Sequence, residues 1–171
     1  RPFIISSQPE IVGNVLKISS YSTIKKHKPV SHKSNIILKK NNHLLIAGPN
    51  GIGKTTLLET IASGKAKGIE IAEGTRVGYY RQDFSTLNFE DTVKEALMAV
   101  MEKKIEEDMR AMAAGFLLNA EIINSKIGRL SEGQKGLVAF ARLVLQRPGL
   151  LILDEPTNHI NFRHLPIIAE A

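Results

Sequence analysis

Apolar and polar residues alternate with changing period along the chain, and the changes mark its elements. Between 11 and 40, short β-prone runs (VLKIS, then Tyr21 to Ile24, then NIILKK) are separated by basic loops. NHLLIAG, apolar from Leu44 to Ala47 and ending at Gly48, reads as a buried strand running into a glycine-rich turn, and KTTLLETIA reads as the helix that follows. TRVGYYRQ predicts a strand ending at Gln82. In DTVKEALMAVMEKKIEEDMR, Val93, Leu97, Val100, Met101, Ile105 and Met109 fall at the spacing of one helix, which Thr92 and Glu95 open as a capping box. AMAAGFLLNAEII predicts a second, shorter helical stretch, residues 131–146 a third helix, and PGLLILD a fully apolar strand; a further helix begins at Phe162. Strand–loop–helix followed by helix–strand predicts an α/β domain with a mainly parallel sheet, carrying a helical insertion over 85–130.

Charge changes this picture at one end. Of the net +6, residues 1–50 hold eight cationic side chains (Arg1, Lys17, Lys25, Lys26, Lys28, Lys33, Lys39 and Lys40) against one acid, Glu10, and the remainder is close to neutral. Such a basic third serves either an anionic partner or simply a solvated, lysine-rich sheet face; no aromatic interleaving with the lysines along the sequence points to base stacking. The absence of cysteine excludes disulfides, thiolate catalysis and Cys-ligated zinc, and fits a reducing cytosol. No apolar run reaches the roughly 18 residues that span a bilayer, and RPFIISSQPE has no long apolar core of a secretory signal. The chain starts at Arg1, which reads as a fragment of a longer protein.

The chemistry begins at GPNGIGKTT, residues 48–56, where Gly48, Gly53, Lys54 and Thr55 satisfy G-x-x-x-x-G-K-[ST]. Glycines allow successive backbone N–H groups to turn toward phosphate oxygens. The helix behind them offers its positive end to the same anion. Lys54 brings a full charge to the β- and γ-phosphates of ATP, and the Thr55 hydroxyl is a ligand for Mg²⁺. Pro49, Asn50, Gly51, Ile52 and Thr56 complete the loop.

LLILDE, residues 150–155, ends an apolar strand in two carboxylates, at the edge of a parallel sheet where ligands gather. Asp154 is placed to orient Mg²⁺ or its water, and Glu155 to position and deprotonate an attacking water. Gln82 offers an amide oxygen to the metal or the water.

A second helix start, RLSEGQKG, also has a form suited to an anion. Ser131 and Gln134 make a capping box, and Gly133 lowers helix propensity by up to about 1 kcal/mol while leaving a bare N–H. GPNGIGKTT, Gln82, LSEGQ and LLILDEPTNH, in this order and spacing, resemble the nucleotide-binding domain of the ABC ATPases. The resemblance covers nearly the whole chain. It implies a P-loop NTPase of ABC type, with a mainly parallel sheet flanked by helices, an N-terminal antiparallel β layer and a helical subdomain. Residues 1–171 then form a single domain, incomplete at its C-terminus: 1–84 and 147–171 as the nucleotide-binding core, 85–146 as the helical subdomain.

The resemblance also implies a division of labour. Two such domains pair head to tail around two ATP molecules, and Ser131, Glu132, Gly133 and Gln134 serve the γ-phosphate held by the partner. EPTNHIN, and GFLLNAEIINSKIGRLSEGQKG before it, resemble the second ATPase domain of the translation-associated ABC-F proteins, which implies a cytoplasmic protein and the ribosome or its RNA as partner. A transporter's ATPase subunit and an ATP-gated binding module with incidental turnover are the alternatives.

Four features bear on those expectations. Glu132 stands where the signature usually has glycine, and Asn161 where the family usually has aspartate. The family's switch histidine lies beyond residue 171 and is neither His159, which belongs to the P-T-N-H turn, nor His164, so this chain is expected to bind ATP and hydrolyse it poorly. Tyr21, upstream of the loop, is either an aromatic for stacking on adenine or a strand residue facing the β layer. His27, His32 and His43 are scattered singly and carry no assigned role.

Overall fold

The computed structural model describes residues 5–155, which fall into two compact units. Among those residues, the first unit runs from Ser7 to Val77 with 149–152; the second comprises 5–6, 78–148 and 153–155.

In the first unit the three β-prone runs join into one long hairpin. Strand β1 (Asn14–Lys25) pairs antiparallel with β2 (Lys28–Lys39), in register from Lys25 opposite Lys28 back to Asn14 opposite Lys39, with irregularities near Leu16 and Ser20. Only one of the predicted basic loops survives, as the two-residue turn Lys26-His27. A third strand, β3 (Ile69–Ile71), pairs antiparallel with the other side of β1; three residues after Gly68 carry too short a pattern to be read as a strand. Gly68 lets this edge approach: its carbonyl accepts the Ser19 N–H at 2.8 Å, and a Cβ there would lie 2.9 Å from the Ser20 nitrogen. Val15, Leu16, Ile18 and Ile69 are buried on the sheet, as is Ile61 on helix α1 (Lys54–Ser63).

The expected strand NHLLIAG does not form. Residues 42–49 have no regular structure, and Leu45 is 88% exposed. An apolar run becomes a strand only where a neighbour satisfies its N–H and C=O groups; no described strand pairs with this one.

The predicted parallel pairing appears in β4 (Val77–Tyr80) and β5 (Leu150–Leu153), which form a two-stranded sheet. The Arg76 carbonyl accepts from Gly149 and Leu150, and the Tyr80 carbonyl from Asp154 at 3.0 Å, so the two strands run the same way.

The second unit is helical. The long helix expected over 92–109 is two: α2 (Val93–Ala99) and α3 (Glu106–Gly115). The break falls at Glu102, Lys103 and Lys104, three exposed charged residues in succession that give the helix no apolar surface to bury. Glu106 then ties the pieces together, at 2.6 Å from Lys94 and 2.7 Å from Arg110. The next stretch also divides: Leu117 turns at φ 59°, and Asn119 caps α4 (Ala120–Asn124). Helix α5 (Glu132–Gln146) closes the unit over a core of Tyr80, Phe84, Leu97, Met109, Phe116 and Phe140 with smaller apolar neighbours.

Candidate functional site

The phosphate-loop motif folds as its composition requires. Gly51 and Gly53 take left-handed conformations (φ 79° and 98°), while Ile52 between them does not. That alternation turns successive N–H groups of a chain to one side. Gly53 is the N-cap of α1 and makes no side-chain capping bond; the first turn holds no acid. The N–H groups of Lys54, Thr55 and Thr56 are therefore left for a ligand or for water. The Lys54 Nζ donates to the Gly48 carbonyl at 2.6 Å and to that of Pro49 at 3.3 Å, so its charge lies back across the loop. Thr55, Thr56 and Asn50 are exposed.

The hairpin grips this loop from outside. The Ile24 N–H donates to the Ile52 carbonyl at 2.8 Å, and a Cβ on Gly53 would lie 3.3 Å from the Ile24 side chain. Sequence spacing did not disclose this contact. Tyr21, three residues earlier, instead stacks on His32 across the hairpin, with centroids 5.2 Å apart and planes inclined at 24°, and the Thr23 hydroxyl lies 2.8 Å from His32 Nε2.

In the second unit, β4 ends at Tyr80 rather than Gln82. Gln82 is exposed in a turn closed by the Phe84 N–H on the Arg81 carbonyl at 3.1 Å. That turn is braced beyond what the motif reveals. The Arg81 guanidinium donates twice to Asp83, at 2.9 and 3.0 Å, and the Ser85 N–H and hydroxyl donate to Asp83 Oδ1 at 3.0 and 2.8 Å. The Arg81 hydrogen bonds hold the Asp83 carboxyl well below the usual carboxylate range. The D-x-S spacing was the signal for this Asx-type turn.

Asp154 is buried at the end of the parallel pair, and its N–H extends the ladder to Tyr80. Glu155 follows, exposed, with φ 45°. A left-handed non-glycine residue costs about 1–2 kcal/mol, and such strain concentrates at functional positions. The P-T-N-H run (Pro156 to His159), Asn161, His164 and the helix expected from Phe162 lie outside the described residues.

The signature stretch opens α5 with both halves of the expected capping box. The Gln134 N–H donates to Ser131 Oγ at 3.2 Å, and the Ser131 N–H to Gln134 Oε1 at 3.0 Å. Glu132 pairs with Lys135 at 2.9 Å, and the Lys135 ammonium also sits 4.8 Å above the Phe89 ring. A Cβ on Gly133 would meet nothing within 4 Å, so packing inside this chain does not require glycine there.

Thr55, Gln82 and Asp154, the donors expected for Mg²⁺, are all hard oxygen groups, suited to an ion that keeps several waters and binds phosphate oxygens. Among the described residues no group of three or more His, Cys, Asp or Glu forms a metal cage. Thr55 belongs to the first unit, Gln82 and Asp154 to the second.

Residues 31–158 match the family model described as "ABC transporter". The chain is 31% identical over 172 residues to "Probable ATP-binding protein YbiT" of Escherichia coli O157:H7, covering 96% of this chain and 32% of that protein. It is 34% identical over 135 residues to "Elongation factor 3" of Candida albicans, covering 78% of this chain and 13% of that one. The chain thus spans a third or less of these relatives. Among solved structures, a bacterial Atm1-family ABC exporter with ATP bound superposes with a TM-score of 0.70 at 18% identity, over 92% of this chain and 32% of that one. The ATP-binding cassette MJ0796, a dimer in a post-hydrolysis state with ADP and Pi, gives 0.67 at 21%, over 88% and 77%. At these identities the likeness shows the fold.

Proposed function

Because the chain belongs to the ABC transporter family of ATPase domains, we propose that it is half of a composite ATP site, gripping a triphosphate with its own loop and completing a partner domain's site with the start of α5. The observation that carries the reading is the uncapped α1 start behind left-handed Gly51 and Gly53, with the Lys54 ammonium resting on the carbonyls of Gly48 and Pro49. The γ-phosphate is a stronger acceptor than a peptide carbonyl. Lys54 exchanges the carbonyls for it, and the free N–H groups of the first turn hold the β-phosphate. Thr55, Gln82 and Asp154 are the proposed holders of Mg²⁺, which supplies charge neutralisation on the phosphates. Glu155 orients the attacking water and takes its proton. Chemistry of this kind depends on positioning and on stabilising charge.

On the partner's side, the Ser131 hydroxyl keeps its proton for donation, since its oxygen is the acceptor in the capping box. The Gly133 N–H approaches without a side chain in the way. Glu132, an acid in the signature, is already paired with Lys135, which offsets its repulsion of a phosphate. Residues 1–84 and 147–171 form the nucleotide-binding core in this reading, and 85–146 the helical subdomain. Tyr21 stacks on adenine only by giving up His32, and Ile24 stands nearer the loop.

The proposed setting is an ABC-F-type protein of the cytoplasm, its chain placed as the second ATPase domain and its partner the ribosome. Similarity to proteins named elongation factor 3, together with the E-P-T-N-H run, supports it. The description of the matching family supports a second reading, a transporter's ATPase subunit; no described helix is long and apolar enough to cross a membrane. Sedimentation of the chain with purified ribosomes and with membrane vesicles separates the two, and pelleting with vesicles alone rejects the ribosomal setting. Pairing is tested by light scattering of the Glu155→Gln variant with Mg²⁺ and ATP. The expected result is a dimer that Ser131→Ala prevents without loss of ATP affinity in the monomer. A strict monomer at every concentration rejects the half-site.

A further inference from the structure

From residue 11 to residue 58 the chain carries eight lysines and no carboxylate. Three of them, Lys25, Lys26 and Lys28, crowd the hairpin tip, all exposed and none in an ion pair with another described residue. The tip is also conformationally expensive. Lys25 faces Lys28, so Lys26 and His27 are the two central residues of the turn, and both are left-handed, at φ 50° and 62°. A turn with both central φ values positive favours Asn-Gly; a lysine followed by a histidine is a poor choice for it. A local conflict of this kind is expected where function holds the residues.

Register adds a second observation that the sequence order conceals. Tyr21 lies opposite His32, Thr23 opposite Val30 and Lys25 opposite Lys28. Alternate residues share a face, so the stacked Tyr21–His32 pair and the two lysines form one strip about 13 Å long. Tyr21 and His32 are half-buried on this strip, and phosphate contacts beside an aromatic surface are the means by which proteins hold single-stranded nucleic acid. A lipid surface needs the cations and not the rings.

We propose that the tip and this face of the β1–β2 hairpin dock the backbone and bases of single-stranded RNA. The docking deepens the ribosomal reading and rests on it only for the identity of the larger partner. The opposite face carries Ile24, whose N–H is bound to Ile52 of the phosphate loop. RNA at the tip therefore biases the loop that grips the triphosphate, and ATP in turn changes RNA affinity by the same factor.

The probe is a 5′-labelled, 20-nucleotide single-stranded RNA of mixed sequence, titrated with the chain by fluorescence anisotropy between 50 and 200 mM KCl. Replacing Lys25, Lys26 and Lys28 together by Ala is expected to weaken binding at least about tenfold and to reduce the slope of log K against log salt by about 2, at roughly 0.7 per phosphate contact. Tyr21→Ala with His32→Ala is expected to weaken binding about fivefold or more with the slope unchanged. Removing three exposed lysines elsewhere (Lys65, Lys67 and Lys104, each to Ala) is expected to leave the affinity within twofold. Lys26→Asn with His27→Gly is expected to raise Tm while weakening RNA binding, which separates a lost contact from a lost fold.

Native-like RNA binding by the triple tip variant overturns the proposal, as does an equal loss in the control variant. Tip-dependent binding to phosphatidylserine vesicles, with RNA binding indifferent to the tip, also overturns it. ATP affinity of the lysine variants, measured without RNA, reports on the phosphate loop separately from RNA docking. If RNA binds through the tip and ribosomes do not sediment with the chain, the ribosomal reading fails and the docking surface stands.

Discussion

Helices α1 and α5 both begin at sequences suited to a phosphate, yet their starts are built in opposite ways. At α1 the N-cap is a left-handed glycine without a side-chain bond, and the nearest cation is bound to carbonyls of the loop. At α5 the N-cap is a serine in extended conformation, the box with Gln134 is closed in both directions, and Glu132 is paired with Lys135. The first start is unfinished without a ligand, whereas the second is satisfied within the chain. In the proposed composite site an anion would complete α1, while α5 would approach an anion as a finished surface. The capping box that explains why α5 forms is thus compatible with a role toward a partner, because it occupies the serine oxygen and leaves the proton and the Gly133 N–H.

The comparison breaks most readily at Lys54. Lys54→Ala is expected to lower ATP affinity about a hundredfold or more, near 3 kcal/mol, in a direct titration; affinity within threefold of native would place the triphosphate elsewhere. Next in size is an alkaline effect confined to the unit that carries α5. Tyr80 is 1% exposed, its hydroxyl meets no partner among the described residues, and burial pushes its pKa up to about 12. The folded state holds that proton more tightly than the unfolded chain does. The resulting stability is present below pH 10 and is lost as pH rises through about 12, by roughly 3 kcal/mol at most. Tyr80→Phe is expected to flatten the decline of denaturant-midpoint stability over that window, and an unchanged decline assigns it to other groups.

Smaller changes sharpen the contrast. Ser131→Ala is expected to cost about 1 kcal/mol of stability, since it opens a box that is closed, whereas Gly53 has no side chain whose loss can matter. Gly133→Ala has the opposite sign: with open space at the Cβ, stability is expected to rise by up to about 1 kcal/mol while ATP-induced pairing falls. A stabilised variant that still pairs would remove the reason for glycine. Glu132→Gln, at a side chain 61% exposed, is expected to shift stability by about 0.5 kcal/mol or less.

The elements that sequence decided are those governed by short-range chemistry. The turn glycines, the α1 helix, both capping boxes and the apolar β5 were legible because each depends on residues within a few positions of one another. Sequence likewise brought out the ordered motifs of an ABC domain. What it left open depends on partners distant along the chain. NHLLIAG has the composition of a strand and no described neighbour to pair with, and the periodic run over 92–109 breaks where three charged residues have no surface to cover. Tyr21 reads alone either as a platform for adenine or as a strand residue facing the β layer; the register of the hairpin gives it to His32, places Ile24 against Ile52, and gathers lysines and rings that the linear order keeps apart. Periodicity states which face a residue occupies within its own element, and only the packed backbone decides what lies across from that face.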